Sequence, residues 1–122
     1  MSLLNAYIDL QKENLSGREL EASVLSRAGL MLKQVKENWD GPHREKKLFE
    51  AIRFNQKVWS LFQSELTEPS NPLPKKLRED ILNLSLFIDK QLFEVMMCPS
   101  PEKLSIVIDI NFNLAAGLQV KS

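Results

Sequence analysis

The chain has 122 residues, with 43% hydrophobic side chains, 26% charged side chains and a formal net charge of zero from 16 basic and 16 acidic residues. This length fits one domain spanning residues 1–122 that can bury a core without disulfides or metals. The single cysteine, Cys98, excludes an intrachain disulfide and a cysteine-based metal cage. The balanced charge lacks the excess of lysine and arginine that attracts nucleic acid or anionic membranes, so neither partner is expected.

The N-terminal region, residues 1–14, contains a short amphipathic stretch. Leu3 or Leu4, Tyr7 and Ile8 form its apolar side, and the pattern predicts a short helix. A helix of this length is not stable alone, so we expect it to dock on the body of the protein or on another molecule. The region lacks the basic and long apolar parts of a signal peptide, and a cytoplasmic location is expected.

A first long helix is predicted at about 17–39. Ser16 and Glu19 have the spacing of a capping box, and Leu15 and Leu20 that of a hydrophobic staple. The segment Asp40-Gly41-Pro42 ends the helix, since glycine suits a helix C-terminus and proline blocks continuation. The apolar side consists of Leu20, Val24, Ala28, Met31 or Leu32, Val35 and Trp39.

The second long helix, about 43–66, is the most apolar and is predicted to be central to a bundle. Asn55 interrupts its main stripe, and five further apolar residues widen the stripe. The stripe consists of Leu48, Ile52, Asn55, Trp59, Phe62 and Leu66, and the widening residues are Phe49, Ala51, Phe54, Val58 and Leu61.

A proline-rich connector at 67–74 precedes a third helix at about 75–97. Asn71-Pro72-Leu73-Pro74 is most simply a rigid connector, although it could also display Leu73 to a partner. The apolar stripe of the third helix is Leu77, Ile81, Leu84, Ile88, Leu92 and Val95, broadened by Leu82, Leu86, Phe87 and Phe93.

The last segment has two interpretations. Leu104, Ile106, Ile108, Ile110, Phe112 and Leu114 alternate as in a strand, whereas Leu104, Ile108, Asn111, Ala115 and Leu118 form a helical stripe. A lone strand in a helical chain has no partner for its backbone groups, so we predict a helix. The fold expected is all-α, a compact bundle of four long helices plus a short N-terminal helix.

Several side chains are candidates for partner binding. Asn55 and Asn111 lie on apolar stripes, where a buried amide must find hydrogen-bond partners, and we expect each to fix the packing of neighbouring helices. Trp59 is expected in the core. Phe93, Met96 and Met97 are also expected in the core, although a methionine cluster suits varied apolar partners.

Enzymatic chemistry has little support in the sequence. His43 is the only histidine, no cluster of side chains has metal-ligand spacing, and the four glycines are scattered. No catalytic, cofactor-binding or metal-binding residue is expected.

Four strings together resemble the FlaF family of flagellar proteins: FEAIRFNQKVWSLF at 49–62, NPLP at 71–74, NLSLFIDK at 83–90 and PEKLSIVIDINFNLAAGL at 101–118. With Tyr7, Glu19 to Glu21 and Trp39, the resemblance runs in one register from near Tyr7 to Leu118. Phe112-Asn113-Leu114 departs from the pattern, which affects local surface detail.

The resemblance implies a small helical cytoplasmic protein that promotes flagellin production and export. It implies flagellin as the partner, bound through its terminal amphipathic helices. The alternative is regulation of flagellin messenger RNA translation through the regulator FlbT, which represses that messenger. From the excess apolar width of the last three long helices and the small size of the N-terminal element, we hypothesise a client groove between the second and last long helices, vacated by the short piece around Tyr7. The candidate partner-binding residues are Tyr7, Asn55, Trp59, Leu73, Phe93, Met96, Asn111 and Leu118.

Overall fold

The computed structural model describes residues 17–119. The predicted short helix at 1–14, with Tyr7, and the capping residue Ser16 lie outside the described residues. The elements are α1 (Gly17–Glu37), α2 (Arg44–Thr67), α3 (Lys75–Met97), a short 3-10 helix (Pro101–Leu104) and α4 (Ser105–Gln119). The described part of the chain contains no strand, and the predicted all-α fold with four long helices is confirmed.

The helical interpretation of the last segment is confirmed. Leu104 and Ile108 are buried, whereas Ile106, which strand alternation would place on the same side, is 43% exposed. Only the helical period brings the buried residues of this segment to one side, because α4 has a single neighbouring surface to cover.

Helix α1 packs against α4 and α2, and α2 also packs against α3. The two helices of each packed pair run antiparallel. At Gly29 of α1, an added Cβ atom would lie 3.0 Å from Cε1 of Phe112 in α4. The absence of a side chain at Gly29 therefore allows α1 and α4 to approach closely.

The turn between α1 and α2 differs from the expectation in one respect. His43, directly before α2, has a φ of 60°, and none of the glycines within 17–119 has a positive φ. Gly41 is needed for a different reason, since a Cβ there would lie 3.0 Å from the backbone oxygen of Asn38. Trp39 is only partly buried, and the Arg44 guanidinium lies 4.4 Å from the centre of its ring.

The proline-rich connector between α2 and α3 is held by Asn71. Its Nδ2 donates to the backbone oxygen of Glu65 at 3.0 Å, and its Oδ1 accepts from the backbone N–H of Leu73 at 3.0 Å. The side chain of Leu73 is partly buried and packs against the core. These hydrogen bonds give the connector a defined conformation, in which Leu73 packs against the bundle.

The predicted stripe of α2 is buried along its whole length, from Leu48 to Leu66. The predicted stripe of α3 is only partly buried, since Leu77 is 44% exposed and only Ile88, Leu92 and Val95 of the stripe are fully covered. The difference arises because α2 lies between two helices, whereas α3 lies at the edge of the bundle.

Candidate partner-binding surface

A chain of hydrogen bonds joins three of the candidate residues inside the bundle. Trp59 Nε1–H donates to Asn111 Oδ1 at 2.9 Å, and Asn111 Nδ2–H donates to Asn55 Oδ1 at 2.6 Å. Asn55 Nδ2–H donates to the backbone oxygens of Ala28 at 3.0 Å and Ala51 at 2.8 Å. The network therefore connects α1, α2 and α4.

The network explains why amides occupy the apolar stripes. Asn55, Trp59 and Asn111 are each 0% exposed, and each polar atom of the network has a partner of the required type. The predicted role of the two amides in helix packing is confirmed, although Asn111 bonds to side chains rather than to a backbone carbonyl.

The expected client groove between α2 and α4 is wrong, because this network and buried side chains fill the space between the two helices. No partner can reach these three side chains in this conformation. The apolar surface available to a partner lies elsewhere on the molecule.

The outer side of α3 carries large apolar side chains in solvent. Leu86 is 63% exposed, Phe93 is 60% exposed and Met97 is 67% exposed. The expectation that Phe93, Met96 and Met97 belong to the core is wrong, since all three are exposed. The reason is that α3 covers α2 with one face only, and the excess apolar residues lie on its other face.

Helical geometry shows that the exposed residues form a second stripe. Leu86, Phe93 and Met97 follow at steps of seven and four residues. This stripe lies about 150° around α3 from the buried residues Ile88, Leu92 and Val95, taking 100° per residue. Helix α3 therefore has two apolar faces, one covered and one open.

A cleft extends the open face towards α2. It has a volume of about 240 Å³ and is lined by Arg44, Glu45, Leu48, Phe49, Ile52, Met96 and Pro99. Met96 connects the cleft with the outer stripe, and its sulfur accepts a hydrogen bond from Gln56 Nε2 at 3.7 Å. Phe49, on the α2 side of the cleft, is 50% exposed.

We call the set of exposed residues formed by Phe49, Leu86, Phe93, Met96 and Met97 the α3 apolar surface. Large exposed apolar surfaces on soluble proteins are often interaction sites. Methionine side chains are flexible and polarisable, and they fit partners of varied shape.

Charges near the α3 apolar surface are mixed. Lys90 and Glu94 are exposed on α3, so neither sign dominates. Asp89 Oδ2 accepts from Gln63 Nε2 at 2.9 Å, which ties the middle of α3 to α2. A partner would therefore be held mainly by apolar contact rather than by charge.

One carboxyl group near the start of the last segment has a shifted pKa. The Ser100 hydroxyl donates to Glu102 Oε2 at 2.5 Å. This hydrogen bond, with a smaller contribution from the backbone, lowers the pKa of Glu102 below its usual value. Glu102 is exposed, and its hydrogen bond with Ser100 lies at the start of the 3-10 helix.

The remaining candidates are not part of the α3 apolar surface. Leu73 and Leu118 are partly buried at the opposite end of the bundle from Phe93 and Met96. Leu86 and Phe49 were not among the predicted partner-binding residues, although the separate stripe on α3 was detectable from its spacing. Pro99 and Arg44 join the cleft only through the folding of α3 back onto α2.

Within the described residues, no three or more histidine, cysteine, aspartate or glutamate side chains come together in a way that could hold a metal ion. Among residues 17–119, no helix has both the length and the hydropathy needed to cross a membrane.

The model of one protein family, described as flagellar protein FlaF, matches residues 3–118. No match was found among curated proteins or among solved structures.

Proposed function

We propose, from the premise that the chain belongs to the FlaF family of flagellar proteins, that it binds flagellin in the cytoplasm as a secretion chaperone. By protecting flagellin before export, it would promote flagellin synthesis and flagellum assembly. The observation that carries this proposal is the α3 apolar surface, with Phe93 and Met97 more than half exposed. A binding role of this kind requires no catalytic residue or cofactor.

Flagellin suits this surface because its terminal segments are amphipathic helices that pack only after assembly. Before assembly their apolar faces are prone to aggregate and need to be covered. In the proposed complex, a terminal helix lies along the outer stripe of α3 and places one large apolar side chain in the cleft beside Phe49 and Met96. The mixed charge around the stripe is compatible with apolar burial as the main driving force.

The test is light-scattering size-exclusion chromatography of the protein with monomeric flagellin. The variant Phe93→Lys/Met97→Glu replaces two members of the α3 apolar surface and keeps the net charge at zero. We expect the native protein to form a complex and the variant to lose it. Flagellin without its terminal helices should also fail to bind the native protein.

The matched control is Leu30→Lys/Ile106→Glu, which makes the same charge changes at two apolar positions that are 38% and 43% exposed on α1 and α4. This control should bind like the native protein. Equal loss in both variants would show a general charge effect and contradict the proposed surface.

No complex with any form of flagellin would overturn the chaperone proposal. It would favour the alternative, in which the protein regulates translation of flagellin messenger RNA through FlbT. Binding of FlbT to the native protein, lost in Phe93→Lys/Met97→Glu, would then assign the surface to that partner. Direct RNA binding would be recognised by a steep decrease in affinity with salt.

A further inference from the structure

The edge of α2 that borders the α3 apolar surface is basic. Its exposed side chains include Phe49, Arg53 and Lys57. The Arg53 guanidinium lies 5.5 Å from the centre of the Phe49 ring, and this cation–π contact holds the charge beside the cleft that Phe49 lines. Lys46 and Glu50 also lie on this edge and offset each other in charge, so the edge as a whole is positive.

A hydrogen bond between the two helices shows where this basic edge lies. Gln56 of α2 donates to the sulfur of Met96 in α3, so these two residues mark the line of contact between the helices. Taking 100° per residue, Arg53 and Lys57 lie about 60° and 100° around α2 from Gln56. Both cations therefore project to one side of the contact.

The outer stripe of α3 is turned to the same side. Phe93 and Met97 have the same sequence offsets from Met96 that the two cations have from Gln56, so they lie about 60° and 100° around α3 in the same sense. Because the helices are antiparallel, equal rotations in the same sense bring both sets of side chains to one face. This common face is basic along α2 and apolar along α3.

The two cations have no acidic partner in the described part of the chain. Neither Arg53 nor Lys57 takes part in an ion pair there, although ion pairs do form at the start of α3. Asp89, an acidic residue on the same side of α3, lies two turns from Met96 and accepts a hydrogen bond from Gln63. The positive edge is therefore open to the charge of a partner.

We infer that the partner of the α3 apolar surface is an amphipathic helix with acidic residues along one edge of its apolar face. Its apolar side chains cover Phe93 and Met97. Carboxylates four residues apart, which lie about 6 Å apart along a helix, match the four-residue spacing of Arg53 and Lys57. Apolar burial supplies most of the affinity, and the charges determine which edge of the partner faces α2. This inference rests on the proposed function, since it names the chemistry of the partner at that same surface.

The test uses two synthetic helical peptides of about 18 residues that share the same leucine face. One peptide has two glutamates four residues apart on one edge of that face, and the other has lysines at those positions. Their affinity for the full chain is measured by fluorescence anisotropy. At about 0.02 M salt we expect the glutamate peptide to bind on the order of tenfold more tightly, and at about 0.5 M salt this preference should decrease.

Charge variants of the protein locate the preference. Arg53→Glu/Lys57→Glu should reverse it, and Arg53→Gln/Lys57→Gln should abolish it, with the native helix content retained in circular dichroism. The matched control is Arg27→Glu/Lys33→Glu, which makes the same charge changes at two exposed positions of α1. This control should keep the native preference.

Equal affinity of the native protein for the two peptides would overturn the inference, as would an equal reversal in the α1 control. Flagellin binding that is lost in Phe93→Lys/Met97→Glu but unchanged in Arg53→Glu/Lys57→Glu would also overturn it, while the proposed function would stand. A native protein that binds neither the peptides nor flagellin would contradict the proposed function, and the inference with it. Binding to vesicles that contain phosphatidylglycerol, in place of the peptides, would assign the face to an anionic membrane and overturn the inference.

Discussion

Two regions of the molecule, the centre of the bundle and the outer side of α3, differ from the usual pattern of apolar groups inside and polar groups outside. The centre contains polar groups, and the outer side of α3 is apolar. At the centre of the bundle, two asparagine side chains and a tryptophan N–H are completely buried. On the outer side of α3, leucine, phenylalanine and methionine side chains are in water. Burying amides and exposing apolar groups both cost free energy unless something compensates.

The two regions are compensated differently. The interior amides are compensated within the chain, because every hydrogen bond of Asn55, Trp59 and Asn111 has a partner on α1, α2 or α4. The α3 apolar surface has no comparable cover among residues 17–119. A polar interior with satisfied bonds defines how the helices pack, whereas an uncovered apolar surface is suited to a partner.

The largest effect is expected from Asn111→Leu. This change leaves the Trp59 Nε1–H and the side-chain oxygen Oδ1 of Asn55 buried without a hydrogen-bond partner. Each unsatisfied group costs about 1–3 kcal/mol. We therefore expect the free energy of unfolding, measured with urea, to fall by about 2–6 kcal/mol. Asn113→Leu, at an exposed position on the same helix, should change it by less than about 0.5 kcal/mol. A loss below about 1 kcal/mol at position 111 would show that the network is not what holds these helices together.

A smaller effect, the coupling between the two amides, follows from the same network. Once Asn111 is replaced, the hydrogen bond between Asn111 and Asn55 is already lost. Asn55→Leu then lowers the free energy of unfolding by less than it does in the native protein. The double variant should cost about 1–3 kcal/mol less than the sum of the single variants. Asn55→Leu combined with Asn113→Leu should be additive within about 0.5 kcal/mol in the same urea measurements. Additive costs for the Asn55 and Asn111 pair would mean that each amide acts through its other contacts.

The smallest effect on stability is expected on the outer side of α3. Phe93→Lys/Met97→Glu should change the free energy of unfolding by no more than about 0.5 kcal/mol, because neither side chain is packed in the core. The same variant is expected to lose flagellin binding, so stability and binding should separate. A large loss of stability that depends on protein concentration would show that a second copy covers the surface.

Much of the fold was predictable from the sequence because apolar periodicity reports burial directly. The stripe of α2 and the stripe at Leu104, Ile108 and Asn111 were predicted and are buried. The third helix was predicted at the bounds 75–97 that the structure shows. The candidate site was predicted less well, since Phe93 and Met96 were expected in the core and Leu86 was not selected. Periodicity counts apolar residues on a helix but does not say how many neighbours that helix has.

The sequence by itself determined an all-α chain, the positions of four long helices and the membership of a flagellar family. It also indicated that Asn55 and Asn111 needed partners. Only the tertiary structure decided which partners they have, because side chains 56 residues apart meet through helix packing and not through local spacing. The tertiary structure also decided which apolar face of α3 remains open, since a face is buried only where another helix lies against it.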